Sequence, residues 1–118
     1  MQYENIEYEK RSAIAYVTLN RPDKLNALSP DLQLEVRHAL EDAGWEDDDI
    51  RVIVLKAAGR AFSAGFDITT SPKANAVERR AKFLKGKSFS ASGWWDVFWN
   101  NPKPIIAQIQ GFCIAGGL

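Results

Sequence analysis

Ile105-Ile106-Ala107-Gln108-Ile109, followed after Gln110 by Gly111-Phe112-Cys113-Ile114-Ala115-Gly116-Gly117, is the stretch on which the fold turns. Its first half has the apolar pattern of a strand, and its second half has the composition of a strand-to-helix turn. Glycine has no Cβ, so backbone N–H groups in such a turn can closely approach an anion or a developing oxyanion. A helix beginning there aims its positive dipole end at the same point. A second small-residue turn, Phe62-Ser63-Ala64-Gly65-Phe66-Asp67, follows another strand pattern, Val52-Ile53-Val54-Leu55. Either turn alone equally suits the packing of a strand on a helix. Together they suggest a two-pronged oxyanion site, which needs two N–H groups within about 3 Å of one oxygen. The amides of Phe66 and Gly116 are the candidate donors.

Upstream, Ile6 and Tyr8, then Ile14, Tyr16, Val17 and Leu19, predict a β-hairpin connected through Lys10-Arg11-Ser12. Asn20-Arg21-Pro22-Asp23-Lys24 is a turn cluster that ends the second strand. Ser29-Pro30-Asp31 predicts a helix start, with Ser as N-cap, Pro at the first helical position and Asp in the first turn. Leu32, Val36, Ala39, Leu40 and Ala43 share one face at helical spacing, and Gly44 suits the C-terminal cap. Ile50 to Ala57 is a β-branched, nearly continuous apolar run, the pattern of a strand buried on both faces. Ala74 to Lys87 reads as a basic helix, Ser88 to Ser92 as a break, and Trp94, Trp95, Phe98 and Trp99 as an aromatic cluster at helical spacing. Asn100-Asn101-Pro102-Lys103-Pro104 stops that helix and feeds the last strand. The order β-β-α-β-α-α-β predicts an α/β protein with its site at strand ends.

The chain has 118 residues, the size of one modest domain, and a formal net charge of zero, so its total charge offers nothing to nucleic acid or an anionic membrane. Charge is nevertheless uneven: residues 1–70 hold 8 Lys/Arg against 13 Asp/Glu, whereas residues 71–118 hold 7 against 2. The second part therefore invites an anionic ligand, although a solvated basic helix face accounts for any single charge. A lone cysteine, Cys113, excludes an intrachain disulfide. With no signal-peptide pattern and no apolar run near 18 residues, the expectation is a cytoplasmic protein without a membrane partner. Glu46-Asp47-Asp48-Asp49 lacks the alternation and terminal Glu of a calcium loop and reads as a solvated turn, so no metal site is expected.

Four ordered blocks make the chain resemble the enoyl-CoA hydratase/isomerase (crotonase) superfamily along nearly its whole length. They are Leu19-Asn20-Arg21-Pro22 with Lys24-Leu25-Asn26-Ala27-Leu28; Arg51-Val52-Ile53-Val54-Leu55; Ala61-Phe62-Ser63-Ala64-Gly65-Phe66-Asp67-Ile68; and Lys103-Pro104-Ile105-Ile106-Ala107 leading to Gly111 through Gly117. The resemblance implies the crotonase-like ββα spiral (ClpP/crotonase fold), incomplete at the C-terminus, with residues 1–118 as the N-terminal part of a single domain. It implies an acyl-CoA thioester substrate whose carbonyl lies between the N–H groups of Phe66 and Gly116. Coenzyme A is then part of the substrate, with no separate cofactor. Ala27, Leu28, Ala64, Gly65, Asp67 and Ile68 are the implied walls for the pantetheine and adenine groups, with Asp67 shaping its turn. Self-association as a trimer or hexamer is also implied.

Two departures from the family pattern matter. Ala115 replaces the first of three glycines often found at the second turn, and Phe66 stands where many members carry Ala. The Glu positions of the family's hydratases fall beyond Leu118, so no general acid or base is assigned and hydration is not separated from isomerisation. The alternative is a non-catalytic CoA-binding or assembly module of the same fold. A dinucleotide-binding domain would need Gly-x-Gly-x-x-Gly between strand and helix, which is missing here. Among single residues, His38 reads as a surface histidine and Cys113 as a buried structural thiol. Ser63 lacks the Gly-x-Ser-x-Gly elbow of a nucleophile. The Trp94–Trp99 cluster suits an acyl pocket and a core or subunit contact equally.

Overall fold

A computed structural model of the chain describes residues 2–65 and 91–114. Strands β1 (Ile6–Arg11) and β2 (Ile14–Leu19) form an antiparallel hairpin. Its connection is Ser12-Ala13 and not Lys10-Arg11-Ser12: Lys10 and Arg11 stay in the ladder, and Ser12 takes the positive φ of 55° that a tight turn requires. A 3-10 turn at Pro22–Lys24 leads to helix α1 (Pro30–Glu41), and β3 (Val52–Ala57) then pairs in parallel with β2. Strand β4 (Ala61–Ser63) follows. Helix α2 (Ala91–Trp99) precedes β5 (Ile105–Ala107), which pairs in parallel with β3, and β6 (Phe112–Cys113) comes last. The main sheet runs β1-β2-β3-β5, and β4 pairs with β6 in a small second sheet. The expected basic helix over 74–87 lies outside the described residues.

Helix α1 begins as its sequence dictates. The Ser29 hydroxyl accepts the Leu32 N–H at 3.2 Å, Pro30 opens the first turn, and Asp31 complements the dipole. Leu32, Val36, Ala39, Leu40 and Ala43 are fully buried. They pack with Ala15, Val17, Leu19, Ile53, Leu55 and Ala57 from one face of the sheet to form the core. Strand β3 is not buried on both faces: burial alternates along it, and Val52, Val54 and Lys56 are only half covered. On that outer face Tyr16 stacks beneath the Arg11 guanidinium, 4.3 Å from the ring centre.

Gly44 does not cap α1. The chain passes directly into a π-helical turn at Asp42–Glu46 that contains Gly44. A Cβ on Gly44 would lie 2.5 Å from the Asn101 amide nitrogen, so the Asn101 side chain could not keep its place beside any larger residue. Asn101 uses that gap to donate to the Leu40 carbonyl at 3.0 Å, and Lys103 donates from Nζ to the carbonyls of Ala43 and Asp47. The segment after α2 thereby satisfies orphan carbonyls at the end of α1. The acidic loop is engaged in the same region. Lys10 bridges the carboxylates of Asp42 at 2.8 Å and Asp47 at 2.7 Å, and Asp47 also accepts the Asp49 N–H.

Candidate active site

The expected site is built on two loops, and the small β4–β6 sheet joins their roots. Ala61 pairs with Phe112 and Ser63 with Cys113, in parallel, and the Ile114 N–H donates to the Ser63 carbonyl at 3.1 Å. Neither short strand was visible in the sequence, because segments of three and two residues carry no periodicity. Gly111 permits the pairing. Its φ is +63°, it bridges to Ala61, and a Cβ there would collide with the Arg60 carbonyl oxygen.

Beyond β4, Ala64 is exposed and Gly65 buried, with a φ of 93° that suits glycine alone. Phe66, Asp67, Ile68 and Gly116 lie outside the described residues. Of the remaining expected residues, the structure brings Ala27, Leu28, Ala64 and Gly65 together through the main chain. Leu28 N–H donates to the Gly65 carbonyl at 2.8 Å, and Ala64 N–H donates to the Leu25 carbonyl at 3.0 Å. The Arg21 guanidinium donates to the Ala27 carbonyl at 2.8 Å. The amides of Ala27, Leu28, Ala64 and Gly65 are all engaged within the chain. These residues therefore offer a ligand walls and carbonyl oxygens, not N–H donors.

Asn26 and Ser63 tie the segment between the 3-10 turn and α1 to the loop after β4, and sequence reading did not identify either as important. Asn26 is fully buried with a φ of 53°. Its side-chain oxygen accepts the Arg21 N–H at 2.7 Å, and its nitrogen donates to the carbonyls of Ala58 at 2.8 Å and Ala61 at 2.9 Å. The Ser63 hydroxyl, also fully buried, donates to the Asn26 carbonyl at 2.9 Å and accepts the Gly65 N–H at 3.1 Å. That pairing leaves no role for Ser63 as a nucleophile. Local signals existed: Asn tolerates the left-handed conformation, and Ser two residues before Gly suits a side-chain-bonded turn. Their partners, 32 to 37 positions away, had no sequence signal.

An apolar cavity of about 400 Å³ adjoins these loops, with Leu28, Phe62 and Ser63 on one side and Trp94, Phe98 and Ile105 on another. The Trp94 and Phe98 rings meet edge to face at 4.9 Å. Trp94 is buried whereas Trp99 is 87% exposed, so the aromatic cluster is divided between core, cavity wall and surface. His38 is exposed and bonds through Nδ1 to the Tyr3 hydroxyl at 2.7 Å, as a surface histidine. The Cys113 thiol is half-buried, not fully buried as expected, because β6 lies at the margin of the core. Among the described residues, no group of three or more His, Cys, Asp or Glu could hold a metal ion. No helix among them is long and apolar enough to cross a membrane.

The enoyl-CoA hydratase/isomerase family model matches residues 9–118. The chain belongs to that family. It is 36% identical over 118 residues to a hydroxycinnamoyl-CoA hydratase-lyase of Pseudomonas fluorescens, covering 98% of this chain and 42% of the relative. A peroxisomal Delta(3,5)-Delta(2,4)-dienoyl-CoA isomerase of Arabidopsis thaliana is 34% identical over 114 residues, covering 91% and 41%. The solved structure of a probable enoyl-CoA hydratase from Mycobacterium smegmatis superposes with a TM-score of 0.77 at 36% identity, covering 97% of this chain and 44% of that one. The fold is therefore the crotonase fold, present in part. The chain spans less than half the length of these relatives.

Proposed function

We propose that the full-length protein is an enzyme of the crotonase type that processes acyl-CoA thioesters by hydration or isomerisation. Its thioester carbonyl is polarised by the backbone N–H groups of Phe66 and Gly116, which stabilise the enolate-like oxyanion formed during bond making at the neighbouring carbons. Coenzyme A enters as part of the substrate, and the enzyme works as a trimer or hexamer.

The observation that carries this reading is the register of β4 on β6. Ser63 and Cys113 are paired, the strands are parallel, and each candidate donor stands three residues past its member of the pair. Two chains leaving one ladder at one level in one direction are suited to bring two amides to a common acceptor. The apolar cavity beside Leu28 and Ser63 supplies a water-poor setting, in which such donors act more strongly than in bulk solvent. The relatives include both a hydratase-lyase and an isomerase, and the choice between the two reactions rests with the acid and base groups that serve the neighbouring carbons.

The test is infrared spectroscopy of an enoyl-CoA thioester bound to the full-length protein. The carbonyl stretch is expected to move to lower frequency on binding. A bound thioester with an unshifted carbonyl would overturn the oxyanion role.

A further inference from the structure

Arg21 grips the turn that follows it with backbone and side chain at once. Its N–H donates to the Asn26 side-chain oxygen at 2.7 Å, and its carbonyl accepts the N–H groups of Lys24 at 3.0 Å and Asn26 at 2.9 Å. Its guanidinium reaches over the turn and donates to the Ala27 carbonyl at 2.8 Å. Asn26 in turn belongs to the polar knot that it forms with Ser63. We infer that Arg21 is a positioning residue for the coenzyme A part of the substrate. By fixing the Ala27–Leu28 peptide before binding, it sets the affinity for the nucleotide end of the thioester and leaves the rate of the chemistry unchanged. This rests on the reading of Ala27 and Leu28 as walls of a coenzyme A site.

The Ala27 carbonyl and the Leu28 N–H belong to one planar trans peptide, so they point in opposite directions. Arg21 holds the carbonyl end, and the Gly65 carbonyl accepts the N–H end at 2.8 Å. The peptide is thus clamped along its polar axis from both sides. Ala27 is half-buried, and Leu28 is buried at the edge of the apolar cavity. The turn needs such a clamp. Leu25 and Asn26 are consecutive left-handed residues, with φ of 51° and 53°, a conformation that side chains bearing a Cβ adopt only when their surroundings impose it. A guanidinium suits the task because its hydrogen bonds are charge-assisted and its fork is planar. Without it the turn shares its population with relaxed geometries. The apparent dissociation constant of a ligand then rises by the inverse of the fraction that keeps the wall in place.

The test uses the full-length protein with free coenzyme A, an enoyl-CoA thioester, and the same acyl group on N-acetylcysteamine, which lacks the nucleotide. Arg21→Met removes the donor and keeps an apolar stem. It is expected to raise the Kd of coenzyme A and the KM of the enoyl-CoA about 10-fold, with kcat within about twofold of wild type. The kcat/KM of the N-acetylcysteamine thioester should also stay within about twofold. Arg21→Gln, shorter and still polar, is read in the same way where Arg21→Met does not fold. In the wild type the amides of Leu25, Asn26, Ala27 and Leu28 are all hydrogen-bonded, so their hydrogen exchange should be slow without ligand and change little when coenzyme A is added. A folded variant whose coenzyme A affinity is within about twofold of wild type overturns the inference, as does an equal loss on both thioesters, which marks general loosening. Protection of the turn that arises only with coenzyme A overturns it too. A markedly weaker salt dependence of coenzyme A binding in the variant also overturns it, because it marks a direct contact between Arg21 and phosphate. A wild-type protein that binds no coenzyme A overturns instead the reading of the site beneath it, and the inference with it.

Discussion

Asn26 shows how much one buried carboxamide can decide. It takes a left-handed backbone that few residues adopt without penalty, and its side chain bonds both to Arg21 in its own turn and to Ala58 and Ala61 at the connection between β3 and β4. Removing it strands the Ala58 and Ala61 carbonyls and the Arg21 N–H in or near the core. Each such group typically costs about 1–3 kcal/mol. Asn26→Ala is therefore expected to destabilise the full-length protein by about 3 kcal/mol, read as a lower urea midpoint with an unchanged slope. A loss below about 1 kcal/mol would show that the knot is dispensable to stability. Gly111 makes a complementary case at the other loop. With a φ of +63° and the Arg60 carbonyl already where a Cβ would go, Gly111→Ala should cost about 2 kcal/mol or more by unseating β6 from β4.

The π-helical turn after α1, like β4 and β6, has a form that the local sequence did not disclose. Gly44 looks like a cap, yet Asn101 and Lys103 reach across and bond the carbonyls of Leu40, Ala43 and Asp47, so the helix continues into a wider turn. Gly44→Ala should be destabilising by about 1 kcal/mol because the new methyl displaces the Asn101 side chain from its bond to the Leu40 carbonyl. Adding Asn101→Ala should recover part of the loss, a coupling that a double-mutant thermal melt measures. The same turn is tied to β1 by Lys10. Hydrogen bonds from Lys10, and next from Tyr8, hold the Asp42 carboxyl below its ordinary pKa, while the Asp42 and Asp47 carboxylates raise that of the Lys10 ammonium. A carboxyl lowered on folding contributes stability above its unfolded pKa and loses it as pH falls through the folded one. An ammonium raised on folding contributes below its unfolded pKa and loses it as pH rises through the folded one. The cluster should therefore contribute evenly from about pH 5 to 10 and fade below about pH 4. Lys10→Met is expected to flatten that acid limb in urea titrations, and an unaltered limb would refute the assignment.

At the scale of the molecule, apolar exposure among the described residues is greatest late in the chain, with Trp45, 61% exposed, the earlier exception. Trp99, Ile106, Ile109, Phe112 and Ile114 are each more than half exposed, whereas the hairpin and α1 bury their apolar faces. Side chains of this size left open to water favour association. A polypeptide of residues 1–118 alone is thus expected to bind a hydrophobic dye and to sediment as species larger than a monomer. Phe112→Ser together with Ile114→Ser should reduce both signals. A monodisperse, dye-silent polypeptide would show that this surface is less adhesive than its composition suggests.

Elements with a strong period or a local cap were legible before any coordinates: the hairpin, the Ser29 start of α1, its five-residue buried face, and β3. Their signals lie within a few residues of one another, where backbone preference and apolar spacing act together. The four motif blocks likewise marked the family and both loops of the site. Tertiary contact alone decided the β4–β6 register, the alternating burial of β3, the π-helical turn and the Asn26–Ser63 knot. Each of these is made by hydrogen bonds or packing between segments tens of residues apart. Such partners leave no local pattern, because what pairs them is the folded core that brings them within reach.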